Sequence, residues 1–78
     1  MDYIEGLNLS IAYIEDNLFD EIDYERAARI AGMSKSTYQR FFLVIANMTL
    51  DEYIRKRKLQ YAVKELKDTE QKKLLILL

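Results

Sequence analysis

Gln39 and Arg40 stand side by side in "SKSTYQRFF", residues 34 to 42. A guanidinium presents a fork of donors that matches O6 and N7 of guanine, and a carboxamide can pair bidentately with adenine, so this pair carries the chemistry of base-edge recognition. Ser36, one helical turn earlier, is short enough to sit near bases or phosphate. Lys35 beside it, and Arg55 and Lys58 in the basic run "RKRK", are cations suited to a phosphate backbone. Ser34 and Thr37 add hydroxyl donors and complete the candidate set for contact with double-stranded DNA.

Other chemistries find little support in the same residues. The chain has no cysteine and no histidine, which removes thiolate metal sites, disulfides and the commonest general base. Its serines and threonines fall at helix caps or on the face that holds Gln39, with no base and orienting group to activate them. Asp20, Glu21, Asp23 and Glu25 lack the glycine and ligand spacing of a calcium loop and read as residues that cap and solvate a helix. No glycine-rich phosphate loop is present. Enzymatic activity, a metal and a cofactor are therefore not expected.

The chain has 78 residues, enough for one domain that buries roughly 60% of its unfolded surface. Half of the residues are hydrophobic and 32% are charged, which fits a globular domain and is too apolar for a disordered one. Residues 1 to 33 carry eight acids against two arginines, whereas residues 34 to 78 carry ten bases against five acids. A formal net charge of −1 thus conceals a charge dipole, as a nucleic-acid footprint or as helix faces that merely differ in sign. The longest aliphatic run, Leu74 to Leu78, falls far short of the ~20 residues of a spanning helix, and the acidic N-terminus lacks the basic flank of a signal peptide. The expectation is a soluble, cytoplasmic protein without a membrane partner.

Periodicity predicts an all-α fold, with helices near residues 3 to 19, 24 to 31, 35 to 46 and 50 to 67. Ile4, Leu7, Ile11, Ile14 and Leu18 form one apolar stripe. Asp23 is positioned to cap the second helix and Ser34 the third, while Asn47 is the non-glycine residue best able to end the third in a left-handed conformation. Thr49 and Glu52 have the spacing of a capping box. Leu50, Tyr53, Ile54, Leu59, Ala62, Val63 and Leu66 supply apolar positions of the fourth helix.

Ala28, Gly32 and Ser34 place a small side chain, a turn glycine and a cap between helices two and three, the spacing of a helix-turn-helix. Ala27, Ala31, Met33, Tyr38 and Phe41 fall at its buried positions. At 100° per residue, Tyr38, Phe41, Phe42 and Ile45 gather on one face of helix three, and Ser36, Gln39, Arg40 and Leu43 on the other. The four charges of "RKRK" point all round their helix, so one or two of them are expected to touch a phosphate strand.

"YERAARIAGMSKSTYQRFF" followed by "MTLDEYIRKRKLQYAVKEL" resembles the first helix-turn-helix subdomain and linker helix of the AraC/XylS family of bacterial transcription regulators. The likeness runs from "AYIEDNLFDEI" through Leu66 and includes Ala28, Gly32, Ser34, Arg40, Phe42, Thr49, Tyr53, Ile54, Lys58, Leu59 and Ala62. It implies that the helix from Lys35 enters a major groove, with base contacts from Ser36, Gln39 and Arg40, and that the long helix joins this module to a second one. "EQKKLLILL" leaves no room for that second module, so the expectation is a half domain with residues 68 to 78 as a frayed or partner-bound tail. Leu43, Val44 and Ile45 replace the polar residues usual in the family, and Asn47 its usual glycine. Leu43 can meet a thymine methyl or mark a face given over to protein. The alternative function is accordingly a protein-interaction or dimerisation module, which binds a second copy or another protein through Leu43, Val44 and the 74 to 78 tail.

Overall fold

A computed structural model describes residues 2–77 of the chain. They form four helices: α1 (Tyr3–Asp16), α2 (Tyr24–Ile30), α3 (Lys35–Ala46) and α4 (Leu50–Leu77). Helix α1 packs on α2, α2 on α3 and α3 on α4. The core lies between them and comprises Leu7, Ile14, Leu18, Ala27, Ala28, Ala31, Tyr38, Phe42, Leu50 and Ile54.

Each of the three short helices begins with a side chain that satisfies backbone N–H groups the helix itself leaves free. Asp2 accepts from the Glu5 amide, Asp23 from those of Glu25 and Arg26, and Ser34 from that of Thr37. At α4 the Thr49 hydroxyl accepts from the Glu52 amide at 3.1 Å, and the Glu52 carboxylate accepts from that hydroxyl instead of from the Thr49 backbone. The capping box is therefore half formed.

Helix α2 ends in a Schellman turn. The Met33 amide donates to the Ala28 carbonyl and the Gly32 amide to that of Arg29, both at 2.9 Å, while Gly32 takes φ +76°. A residue without a Cβ occupies that conformation freely, and the chain reverses there into α3. Asn47 ends α3 with φ 56°, and its amide donates to Leu43.

The helix boundaries differ from expectation at two places. Helix α1 stops at Asp16 and not near residue 19, because the Asn17 carboxamide donates to the Tyr13 carbonyl at 2.8 Å and competes with the helical ladder. Leu18 stays buried through the turn that follows. Helix α4 continues ten residues beyond the expected end at Lys67, through a stretch with neither glycine nor proline to interrupt it.

Several apolar residues expected inside are outside. Ile4, Ile45, Leu59, Val63 and Leu66 are exposed, as is Ala62, and Met33 and Phe41 are only partly buried. The α4 group has a simple cause. Leu59 follows Leu50 by nine residues, half a turn out of phase at about 100° per residue, so Leu59, Val63 and Leu66 face away from the body to which Leu50 and Ile54 are packed. From Lys58 to Ile76 every residue of α4 is exposed. Of the tail expected to meet a partner, Leu78 and the side chain of Leu77 lie outside the described residues.

Candidate nucleic-acid interface

Tyr38 and Phe42 anchor α3 from beneath. Both are buried, Tyr38 donates to the buried Ser10 Oγ of α1 at 2.9 Å, and Ser10 in turn donates to the Leu7 carbonyl at 2.7 Å. Phe42 meets the Tyr53 ring edge-on at 5.3 Å, which ties α3 to α4. These contacts fix the rotation of α3 about its own axis and so decide which residues look outward.

The outward set is Ser36, Gln39, Arg40 and Leu43. They line one groove of about 460 Å³ together with Thr49, Leu50 and Asp51 at the start of α4. Gln39 is half-buried and Arg40 exposed. Asp51, the acidic member, accepts a hydrogen bond from the Tyr24 hydroxyl of α2. Burial and that carboxylate together push the Tyr24 phenol up to about 12, so the bridge between α2 and α4 holds its proton throughout the physiological range.

The remaining candidates divide differently. Lys35 and Lys58 both line a second groove, bounded by the segment between α1 and α2, although 23 positions separate them in the chain. Ser34 and Thr37 are exposed, but their hydroxyls are already engaged in the cap, with Ser34 Oγ donating to Thr37 Oγ1 at 3.0 Å. Arg55 lines neither groove and turns its Nε back to the Asp51 carbonyl at 3.5 Å. Ser36, Gln39 and Arg40 are thus the cluster that the fold assembles, while Lys35 and Lys58 share a separate groove.

One arrangement beside the site went unread in the sequence. Glu15 of α1 accepts from Arg57 Nε at 2.7 Å and from the Tyr53 hydroxyl at 2.7 Å, and so pins the base of α4 against α1. Burial alone would raise the Glu15 pKa, yet the bonds from Arg57 and Tyr53 and the arginine charge outweigh it and hold the carboxyl below its usual range. No local pattern announces a contact across 42 positions.

This helix-turn-helix arrangement, with a capped second helix that turns polar forks outward, is accompanied by detectable sequence similarity to known regulators. SoxS, a regulatory protein of Escherichia coli strain K12, is 37% identical over 60 residues, which cover 77% of this chain and 56% of SoxS. The SoxS of Salmonella typhimurium is 33% identical over 70 residues, 90% of this chain and 65% of that protein. AarP, an HTH-type transcriptional activator of Providencia stuartii, is 39% identical over 59 residues, 76% of this chain and 44% of AarP. The chain is homologous to SoxS and AarP. Both are AraC/XylS-family regulators, so the likeness carried by the turn and the linker helix has counterparts in sequence. The chain spans about half to two thirds of the length of these relatives. No protein-family model matches it, and no solved structure matches it significantly.

Proposed function

We infer that this chain is a DNA-binding module of an AraC/XylS-type transcription regulator and reads a major groove with α3. The observation that carries the reading is the joint presentation of Ser36, Gln39 and Arg40 in one groove, beside the face of α3 that buries Tyr38 and Phe42. A guanidinium and a carboxamide one position apart offer two bidentate partners for base edges, each good pair being worth about 1 to 3 kcal/mol of discrimination. Lys35 and Lys58 supply sequence-independent attraction to phosphate. Homology to SoxS and AarP supports the same class of activity for the regulator to which this module corresponds.

With a single recognition helix, binding to DNA is weak. Non-specific binding by basic surfaces lies at roughly 10⁻⁴ to 10⁻⁶ M, so the module alone is expected at micromolar Kd or poorer, improved when a second module makes the second contact intramolecular. The test is selection from a randomised duplex library at low salt. Arg40→Ala should flatten the preference between sequences, whereas Lys35→Ala should lower affinity for all of them alike. Identical selection by Arg40→Ala and the parent would remove α3 as the reader.

A second reading rests on a specific feature of the same helix. Leu43 is 46% exposed, Val44 78% and Ile45 53%, a consecutive apolar run left exposed among the described residues. Such a run suits a protein-interaction or dimerisation surface. Association through it would be nearly indifferent to salt, whereas DNA binding falls linearly with log salt.

A further inference from the structure

Lys35 and Lys58 do not have their groove to themselves. Of about 1000 Å³, it is also lined by Asp20, Glu21, Asp23 and Glu25. Its third cation, Arg26, lies over the Tyr13 ring at 5.2 Å. Among the described residues the one ion pair within 4.0 Å joins Arg57 to Glu15, so neither lysine is neutralised by a direct partner. The acids are not equivalent. Asp23 caps α2 through Oδ1 and Glu25 stands in the first turn of that helix, where its charge offsets the positive end of the dipole. Asp20 and Glu21 lie in the segment between helices, exposed and engaged in no side-chain hydrogen bond among those of the described residues.

We propose that Asp20 and Glu21 act as an electrostatic counterweight, within the groove they share with Lys35 and Lys58, that sets how strongly the two lysines hold a nucleic-acid phosphate strand. The proposal rests on the DNA-binding reading above. Duplex DNA carries one charge per ~1.7 Å of axis, or one per ~3.4 Å on each strand, so a strand laid against the two lysines brings phosphates near the carboxylates that line the same groove. The Debye length is about 8 Å at physiological salt, so carboxylates that line the same groove act on those phosphates before screening removes their effect. Their effect is repulsive and independent of sequence. It keeps the sequence-independent part of binding low, which leaves discrimination by Gln39 and Arg40 a larger share of the total. The same two residues account for part of the acidic bias of the first 33 positions, which the fold folds back against the basic half.

The test measures the affinity of the full chain for a fluorescent random-sequence duplex. Asp20→Asn/Glu21→Gln is compared with the parent and with Asp68→Asn/Glu70→Gln, which makes the same change in net charge on the distal part of α4. The groove variant should bind about threefold to tenfold tighter at about 50 mM salt, a gain that shrinks at about 200 mM, and the distal variant should gain less than about twofold. Glu21→Lys should strengthen binding in the same direction from one exposed position. A groove variant that binds like the parent, or no better than the distal control, overturns the proposal while leaving the DNA reading intact. A parent whose binding does not weaken with salt overturns both. Unchanged helical circular dichroism in each variant ties the differences to charge.

Discussion

The hydroxyl of Tyr38 on α3 donates to Oγ of Ser10 on α1 at 2.9 Å, and both side chains are fully buried. The two members of this bond are not equally replaceable. Removing the phenol oxygen with Tyr38→Phe leaves Ser10 still donating to the Leu7 carbonyl, so only an accepted bond is lost and the change should cost about 1 kcal/mol. Ser10→Ala strands a buried phenol donor and should cost about 1 to 3 kcal/mol. Urea unfolding of both variants and of the double variant checks the order, and the double variant should fall well short of the sum.

Two glycines are predicted to resist alanine for different reasons. A Cβ at Gly6 would lie 2.9 Å from the Ala31 carbonyl oxygen, a backbone atom at the end of α2, so Gly6→Ala should lower the unfolding midpoint. The overpacking of about 1 to 3 kcal/mol outweighs the ~1 kcal/mol that alanine normally adds inside a helix. At Gly32 nothing lies within 4 Å of the added atom, and only the φ of +76° opposes it. Gly32→Val should cost about 1 to 3 kcal/mol and Gly32→Asn clearly less, because asparagine tolerates the left-handed region.

Acid should loosen the contact between α1 and α4 through Glu15. Its carboxyl is held below the usual value of 4.5, so the stability it contributes is complete above that pH and is lost as pH falls through the lower value of the folded state. Thermal melts between pH 7 and 3 should show Glu15→Gln less stable at neutral pH, with the difference from the parent narrowing below 4.5. At the alkaline end, burial first and then the neighbouring carboxylates raise Tyr24 and Tyr53 to about 12. Ultraviolet titration should find tyrosines that ionise late, with one lost in Tyr24→Phe and one in Tyr53→Phe.

The outer stripe of α4 should be nearly silent in stability. Leu66→Ala removes an exposed side chain and is expected within about 0.5 kcal/mol of the parent, although Leu66 has the same helical spacing as core residues. Phe42→Ala should cost about 3 to 5 kcal/mol and Ile54→Ala about 2 to 5 kcal/mol. Amide hydrogen exchange should divide α4 likewise, with protection near Ile54 and fast exchange beyond Val63, where every residue through Ile76 is exposed.

The number of helices, the Asp23 and Ser34 caps and the turn between α2 and α3 were legible in the sequence because each depends on interactions within a few residues. Asp23, Ser34 and Asn47 do what their side chains favour locally, and Gly32 takes the conformation that only a residue without Cβ adopts easily. The outward face of α3 was legible for a related reason, since a rigid period places Ser36 and Arg40 opposite Tyr38, with Gln39 at the edge of that face, once the helix is granted. Periodicity cannot say which of two apolar stripes on one helix finds a partner, so Leu50 and Ile54 went inside while Leu59, Val63 and Leu66 stayed out. Nor can it place Ser10 in the core, where a polar residue is tolerated because Tyr38 arrives from 28 positions away to bond it. That Lys35, Lys58, Asp20 and Glu21 line one groove was decided by the packing of the four helices. Local preferences act within a turn or two of chain, whereas these neighbours are made by burial of a common core, which acts on the chain as a whole.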